Sequence, residues 1–171
     1  MTRASDHIAI IKINDEYGTP LSLFYEKCLE YKCTPVVDYF ASDKNHVLKK
    51  YYTIKDDSLN RDWYFNAFCN FPYSKMEKCL KKAWEEHDKH GIEIMILCYA
   101  KTDTKWWHKY VEGRAEYHFQ KSRIKFLDHE GNLTKNSSPY PSVWIIIRGK
   151  KKKKKIVTMR DFEMNQMFGN D

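Results

Sequence analysis

The chain has no CxxC pair, no internal repeat and no apolar run long enough to span a bilayer. Its five cysteines, at positions 28, 33, 69, 79 and 98, stand singly, and three lie within apolar stretches. Structural zinc wants ligands in close pairs, so reduced core cysteines are expected and zinc modules are not. The seven histidines form no ligand-like spacing either, and no metal is expected. A membrane helix needs about 20 consecutive apolar residues, which this sequence never offers. Met1-Thr2-Arg3-Ala4-Ser5-Asp6 lacks the apolar core of a signal peptide, which predicts an intracellular protein. No composition shift divides the 171 residues, so one domain over 1–171 is expected.

What is present is a globular composition, 42% apolar and 31% charged. The net charge of +7 is unevenly placed. Eight basic residues and no acidic ones lie between Arg148 and Arg160. Removing those eight from the 30 basic residues leaves 22 against 23 acidic ones, a net of −1 for the body. The excess therefore sits in one stretch, centred on Lys150 to Lys155. Such a stretch attracts a polyanion such as DNA or RNA, or else forms a solvated run that binds nothing in particular.

Along the chain, Ile8 to Ile13 reads as a short extended segment. Thr19-Pro20 suits a helix start with Thr19 as N-cap, followed by Leu21, Phe24, Cys28 and Leu29 at helical spacing. Pro35 to Ala41 reads as a buried strand, Ser42 to Asn45 as a turn into a short helix, and Tyr51 to Ile54 as a second strand. Ser74-Lys75-Met76-Glu77 has the capping-box pattern. Behind it Met76, Cys79, Leu80, Ala83, Trp84 and His87 mark one face of a helix that Gly91 ends. Ile92 to Cys98 is nearly continuous in apolar residues, as a strand buried on both faces should be. A helix over Thr102 to Val111 follows. Beyond Gly113, strand-like Tyr117-His118-Phe119, Arg123 to Phe126 and Val143 to Ile147 are joined by turns, one of them at Glu130-Gly131-Asn132. Alternating strand and helix, then strands alone, predict an α/β sheet that finishes with antiparallel strands.

The end of the apolar run Ala67-Phe68-Cys69 carries Asn70-Phe71-Pro72-Tyr73. The Asn70 side-chain oxygen and the Phe71 carbonyl can each accept one N–H of a planar exocyclic amine. Pro72 stiffens the loop and Tyr73 offers a face for a base.

Six stretches in order resemble those of the small phage-type DNA N6-adenine methyltransferases that use S-adenosylmethionine. They are Tyr17-Gly18-Thr19-Pro20 with Leu23-Phe24; Val37 to Ser42 with Asn45; Phe68 to Ser74, preceded by Leu59 and Trp63; Lys101 to His108; Arg123 to Phe126; and Pro139 to Val143. The family's usual Asn-Pro-Pro-Tyr here has Phe71 at its second position. The contact there is made by a main-chain carbonyl, which phenylalanine still supplies. Asn-apolar-Pro-Tyr also resembles the motif of RNA adenine dimethylases, which makes RNA the alternative polymer. A catalytically silent nucleic-acid-binding protein of the same fold is a second alternative. Many methyltransferases carry a glycine-rich loop after the first strand, whereas this chain has Ala41-Ser42-Asp43.

The resemblance implies a Rossmann-like class I methyltransferase sheet, with methyl transfer to adenine N6 in DNA at Asn70, Phe71, Pro72 and Tyr73. It places the cofactor on Thr19, Pro20, Asp38, Ala41, and Asp56 or Asp57. Asp38 would end the first strand, where ligands of open α/β sheets bind. Neighbouring Trp106 and Trp107 cannot both face inward; Trp107 is the candidate for the nucleic-acid surface, with Arg123 and Lys125 on one side of a strand. Lys150, Lys151, Lys152 and Lys153 are further candidates for phosphate contact. The family likeness also implies a phage or mobile-element origin. A homodimer would enlarge so small a DNA-binding surface, although no residue pattern specifies one.

Overall fold

The structure, a computed structural model, describes residues 17–150. The expected extended segment at 8–13 and the lysines from 151 onward lie outside the described residues.

Two six-residue strands carry the core. In β4 (Ile94–Tyr99) and β6 (Ser142–Ile147) every residue is buried, because both faces of the sheet are covered. Alternation sorts their side chains. Ile94, Ile96, Cys98, Val143, Ile145 and Ile147 face one apolar cluster, while Met95, Leu97, Tyr99, Trp144 and Ile146 face the other.

The remaining strands extend this pair into six, in the order β2-β1-β3-β4-β6-β5. β1 (Val37–Asp38), β2 (Lys50–Tyr51) and β3 (Ala67–Asn70) pair in parallel with one another or with β4. β6 runs antiparallel to β4, and β5 (Glu116–Phe119) antiparallel to β6. The expected α/β sheet with antiparallel strands at its C-terminal end is what the chain forms. The chain leaves β1 for β2 on one side and returns to β3 on the other. That reversal opens a crevice beyond the carboxyl ends of β1 and β3, where Asp38 and Asn70 stand.

Helix α2 (Met76–His90) buries Met76, Cys79, Leu80, Ala83 and His87, the expected face, and Gly91 closes it at φ 67°. It follows a 3₁₀ turn at Tyr73–Lys75, and Lys75 stands at its N-cap without a cap bond from its side chain. Helix α1 (Leu21–Tyr31) buries Phe24, Lys27 and Tyr31, leaving Leu21 and Leu29 exposed. The inward stripe is therefore set by the two aromatic residues seven apart, and Lys27 lies along it with its ammonium on Glu30 and Glu26. Thr19 makes no cap bond; Pro20 precedes the first turn instead.

Several elements are shorter than their apolar runs. Only Val37 and Asp38 of the 35–41 run enter the ladder, and only Lys50 and Tyr51 pair as β2. Ser42 to Asn45 is a turn with no helix after it, and α3 covers Lys105–Tyr110 only. Arg123 to Phe126 joins no ladder; Ile124 and Phe126 are buried, their carbonyls accept the N–H groups of Ser138 and Thr134, and Leu127 bridges to Gly18 and Leu133. Arg148 knits the antiparallel end together. Its guanidinium meets Glu116 at 2.7 Å and 2.8 Å and donates to the Tyr31 carbonyl of α1 at 2.8 Å.

Candidate active site

The crevice between β1 and β3 deepens into a cavity of about 530 Å³. Its floor is the ends of the two strands, Asp38, Phe68 and Asn70. Its walls are three loops: Tyr17 to Thr19, Ala41 to Val47, and Thr53 with Asp57 to Leu59; Pro72 stands at its edge.

Asp38 is 3% exposed. One carboxylate oxygen accepts the Phe40 N–H at 3.3 Å and the other the Val47 N–H at 3.1 Å, so the side chain holds both ends of the loop it launches. Burial pushes its pKa up to about 6, against the two N–H groups that favour the anion. Ser58 donates to the Tyr39 carbonyl, and Trp63 stacks on Tyr39 at 4.5 Å. Glu86, buried on α2, accepts the Trp63 N–H at 2.6 Å and so fixes the segment leading into β3.

At the end of β3, alternate residues do different work. The Phe71 side chain is 1% exposed and pegged edge-on against Phe40 at 4.9 Å, while Asn70 and Pro72 line the cavity. The phenylalanine thus anchors the loop from below and leaves its carbonyl in the main chain. Tyr73 stacks on Tyr99 at 3.8 Å with the rings 7° apart, which covers one face of its ring. The Asn70 amide nitrogen donates to the Tyr17 carbonyl at 2.6 Å. A carbonyl only accepts, so the amide's oxygen is the end turned away from Tyr17.

The strap bearing Tyr17 is itself clamped. Gly18 exchanges two backbone bonds with Leu127, at 2.9 Å and 2.8 Å, and the Tyr17 ring stacks on Phe126. Asn45 packs directly on Gly18, where a Cβ would meet its side chain at 2.4 Å, and its amide reaches the Asp128 carbonyl at 2.7 Å. One residue further, Thr19 is 5% exposed, lines the cavity, and keeps its hydroxyl oxygen buried without a hydrogen-bond partner.

Of the residues expected from sequence, Thr19, Asp38, Ala41, Asp57, Asn70 and Pro72 come together on this cavity. Others do not. Asp56 accepts the N–H and hydroxyl of Thr53 at 2.7 Å and 3.0 Å as a local cap and is not among the residues lining the cavity. Pro20 sets the helix start beside it. Trp107 is 3% exposed and packs against Tyr117, Val111 and the apolar core, which removes it from the nucleic-acid surface; Trp106 is the less buried of the two. Lys150 lies beside Gly91 at the amino end of β4, the end of the sheet opposite Asn70, and binds Asp88 at 3.2 Å. Arg123 and Lys125 are exposed on one side of their extended segment, and Arg123 donates to the Pro139 carbonyl. Lys151, Lys152 and Lys153 lie outside the described residues.

Two features carried little sequence signal. Tyr17 contributes a main-chain carbonyl, which no side-chain pattern reports. Asp62 brings a ligand atom within 4.8 Å of those of Glu86 and His90, which sit one turn apart on α2 well after it in sequence; Lys89 and Lys82 already pair with the two carboxylates.

The model of the family described as DNA N-6-adenine-methyltransferase (Dam) matches residues 9–170. The chain belongs to that family. A DNA N-6-adenine-methyltransferase of Haemophilus phage HP1 is 23% identical over 139 residues, 80% of each chain. One from Escherichia phage T1 is 33% identical over 82 residues, 47% of this chain. That match spans 34% of the T1 enzyme, about a third of its length. Family membership covers the strap, the Asp38 loop, the Asn70 loop and both antiparallel strands, all of which fall inside the matched range.

Proposed function

We propose that the sheet is a class I methyltransferase sheet and that the protein transfers a methyl group from S-adenosylmethionine to N6 of adenine in DNA. The observation that carries this reading is the Asn70 amide. It stands at the carboxyl end of β3 with its nitrogen held by Tyr17, its oxygen turned away, and the Phe71 carbonyl next in the chain. The adenine amino lone pair is delocalised into the ring, which makes the nitrogen a poor nucleophile. Asn70 Oδ1 and the Phe71 carbonyl accept its two hydrogens, favour a more pyramidal nitrogen and aim its lone pair. Catalysis is then positioning and electrostatic complementarity, with no covalent nucleophile. The buried thiols of Cys69 and Cys98 fit that picture, since burial pushes both up and keeps them protonated.

The cavity fits the cofactor chemically. Thr19 offers a buried hydroxyl without a partner, Asp38 an anion close to its ionisation point, and Ala41 a small side chain where close backbone approach is needed. Asp57, on the wall, suits the hydrogen-bonding edge of a nucleoside. When bound, S-adenosylmethionine supplies an electrophilic sulfonium methyl group. Tyr73 meets a base that must leave the duplex to reach the site. Arg123 and Lys125 supply charge for the phosphates.

Labelled S-adenosylmethionine, offered with DNA or with RNA and followed by digestion to nucleosides, tests the reading. N6-methyladenine in DNA alone is expected. Label confined to RNA reassigns the polymer, and nucleic-acid binding without transfer reassigns the protein to a silent module.

A further inference from the structure

We propose that the Tyr17 carbonyl is a positioning group that sets the polarity of the Asn70 amide, so that position 70 requires a neutral side chain with both a donor and an acceptor. The inference rests on the methyltransferase reading above and adds the group that orients its principal acceptor.

At 2.6 Å the Tyr17 oxygen and the Asn70 side chain are in full hydrogen-bond contact. Asparagine has one donor end and one acceptor end. With the donor end on Tyr17, the acceptor end is presented to the amine; rotated by half a turn, the amide would set oxygen against oxygen and offer the substrate hydrogens where it needs lone pairs. The carbonyl cannot swing to suit another side chain. Gly18, the next residue, is locked on both backbone atoms to Leu127, Tyr17 itself is stacked on Phe126, and Asn45 fills the space against Gly18. An ionised aspartate at 70 has acceptors only and would face the carbonyl with a negative oxygen. A protonated aspartate has an O–H that restores the contact. The Asn70→Asp enzyme should therefore work through its protonated form alone.

Initial rates of methyl transfer to DNA, at saturating cofactor, are measured for the natural chain and Asn70→Asp from about pH 5 to about pH 8. At the alkaline end the variant is expected to fall about 100-fold below the natural chain. Its rate relative to the natural chain should climb by about tenfold per pH unit on acidification until the carboxyl is protonated. Affinity for S-adenosylhomocysteine should be unchanged in both. Parallel pH profiles would overturn the proposal. A second measurement does not depend on turnover. In proton–nitrogen correlation spectra the Asn70 side-chain pair, identified by its loss in Asn70→Asp, should show one proton shifted downfield and protected from exchange. Two equivalent, fast-exchanging protons would also overturn it. If the natural chain methylates neither DNA nor RNA, the functional reading fails, while the amide spectrum still decides the contact.

Discussion

The two halves of the sheet are held together in different ways. The antiparallel end relies on length: β4 and β6 pair over six residues each, wholly buried, with Arg148 tying their far end to β5 and α1. The parallel end has strands of two, two and four residues. There, side chains bonded to backbone replace the missing ladder, through Asp38 to Phe40 and Val47, Glu86 to Trp63, Asn45 to Asp128 and Asn70 to Tyr17. The antiparallel end therefore provides stability, and the parallel end provides placement. Short strands leave room for loops to converge on a cavity, and specific polar bonds then give those loops one arrangement.

If that division is right, activity and stability should separate by position. Asn70→Ala should lower methyl transfer by about 100- to 1,000-fold, with circular dichroism and cofactor affinity close to those of the natural chain; a fully active variant would end the proposed chemistry. Ile145→Ala, in the middle of β6 and 0% exposed, should do the reverse. It should cost about 2–5 kcal/mol in denaturant unfolding while leaving kcat intact wherever the variant is folded.

Acid sharpens the contrast, because the two ends respond with opposite sign. Asp38 is held above its ordinary value, so its contribution to folding is complete below 3.8 and is lost as pH rises through about 6. Glu116 is held down to about 2, chiefly by Arg148, so its contribution is present above 4.5 and is lost as pH falls through about 2. Melting temperatures across pH should lose the upper limb in Asp38→Asn and the lower limb in Glu116→Gln; identical profiles for both variants would break the comparison. The smallest effect belongs to Asp56, a local cap outside the cavity. Asp56→Ala should lower the melting temperature only slightly and leave the affinity for S-adenosylhomocysteine unchanged, as measured by calorimetry.

The same division explains what could be read from sequence. β4, β6, the buried face of α2 and the Gly91 cap were legible because each rests on periodicity or on one residue's backbone freedom. β1 and β2 came out too long in the expectation, since the apolar residues flanking them serve packing under the loops rather than the ladder. Around the site, Asp38 and Asn70 could be placed by motif, but their partners could not. Val47 lies nine residues from Asp38 and Tyr17 lies 53 from Asn70, and both partners act through backbone atoms. Trp107 was assigned outward because two adjacent tryptophans need opposite faces. Which one turns in is decided by the aromatic neighbours Tyr117 and Phe119, which belong to the next element, β5, and not to the helix itself.

The contact of Asn45 with Gly18 has a consequence for anyone altering this protein. The two positions share one volume, so a side chain gained at 18 must be matched by one lost at 45. Libraries that vary either position alone will record it as intolerant. A paired library, with alanine at 18 and glycine or serine at 45, would show instead a single compound site whose total size is conserved.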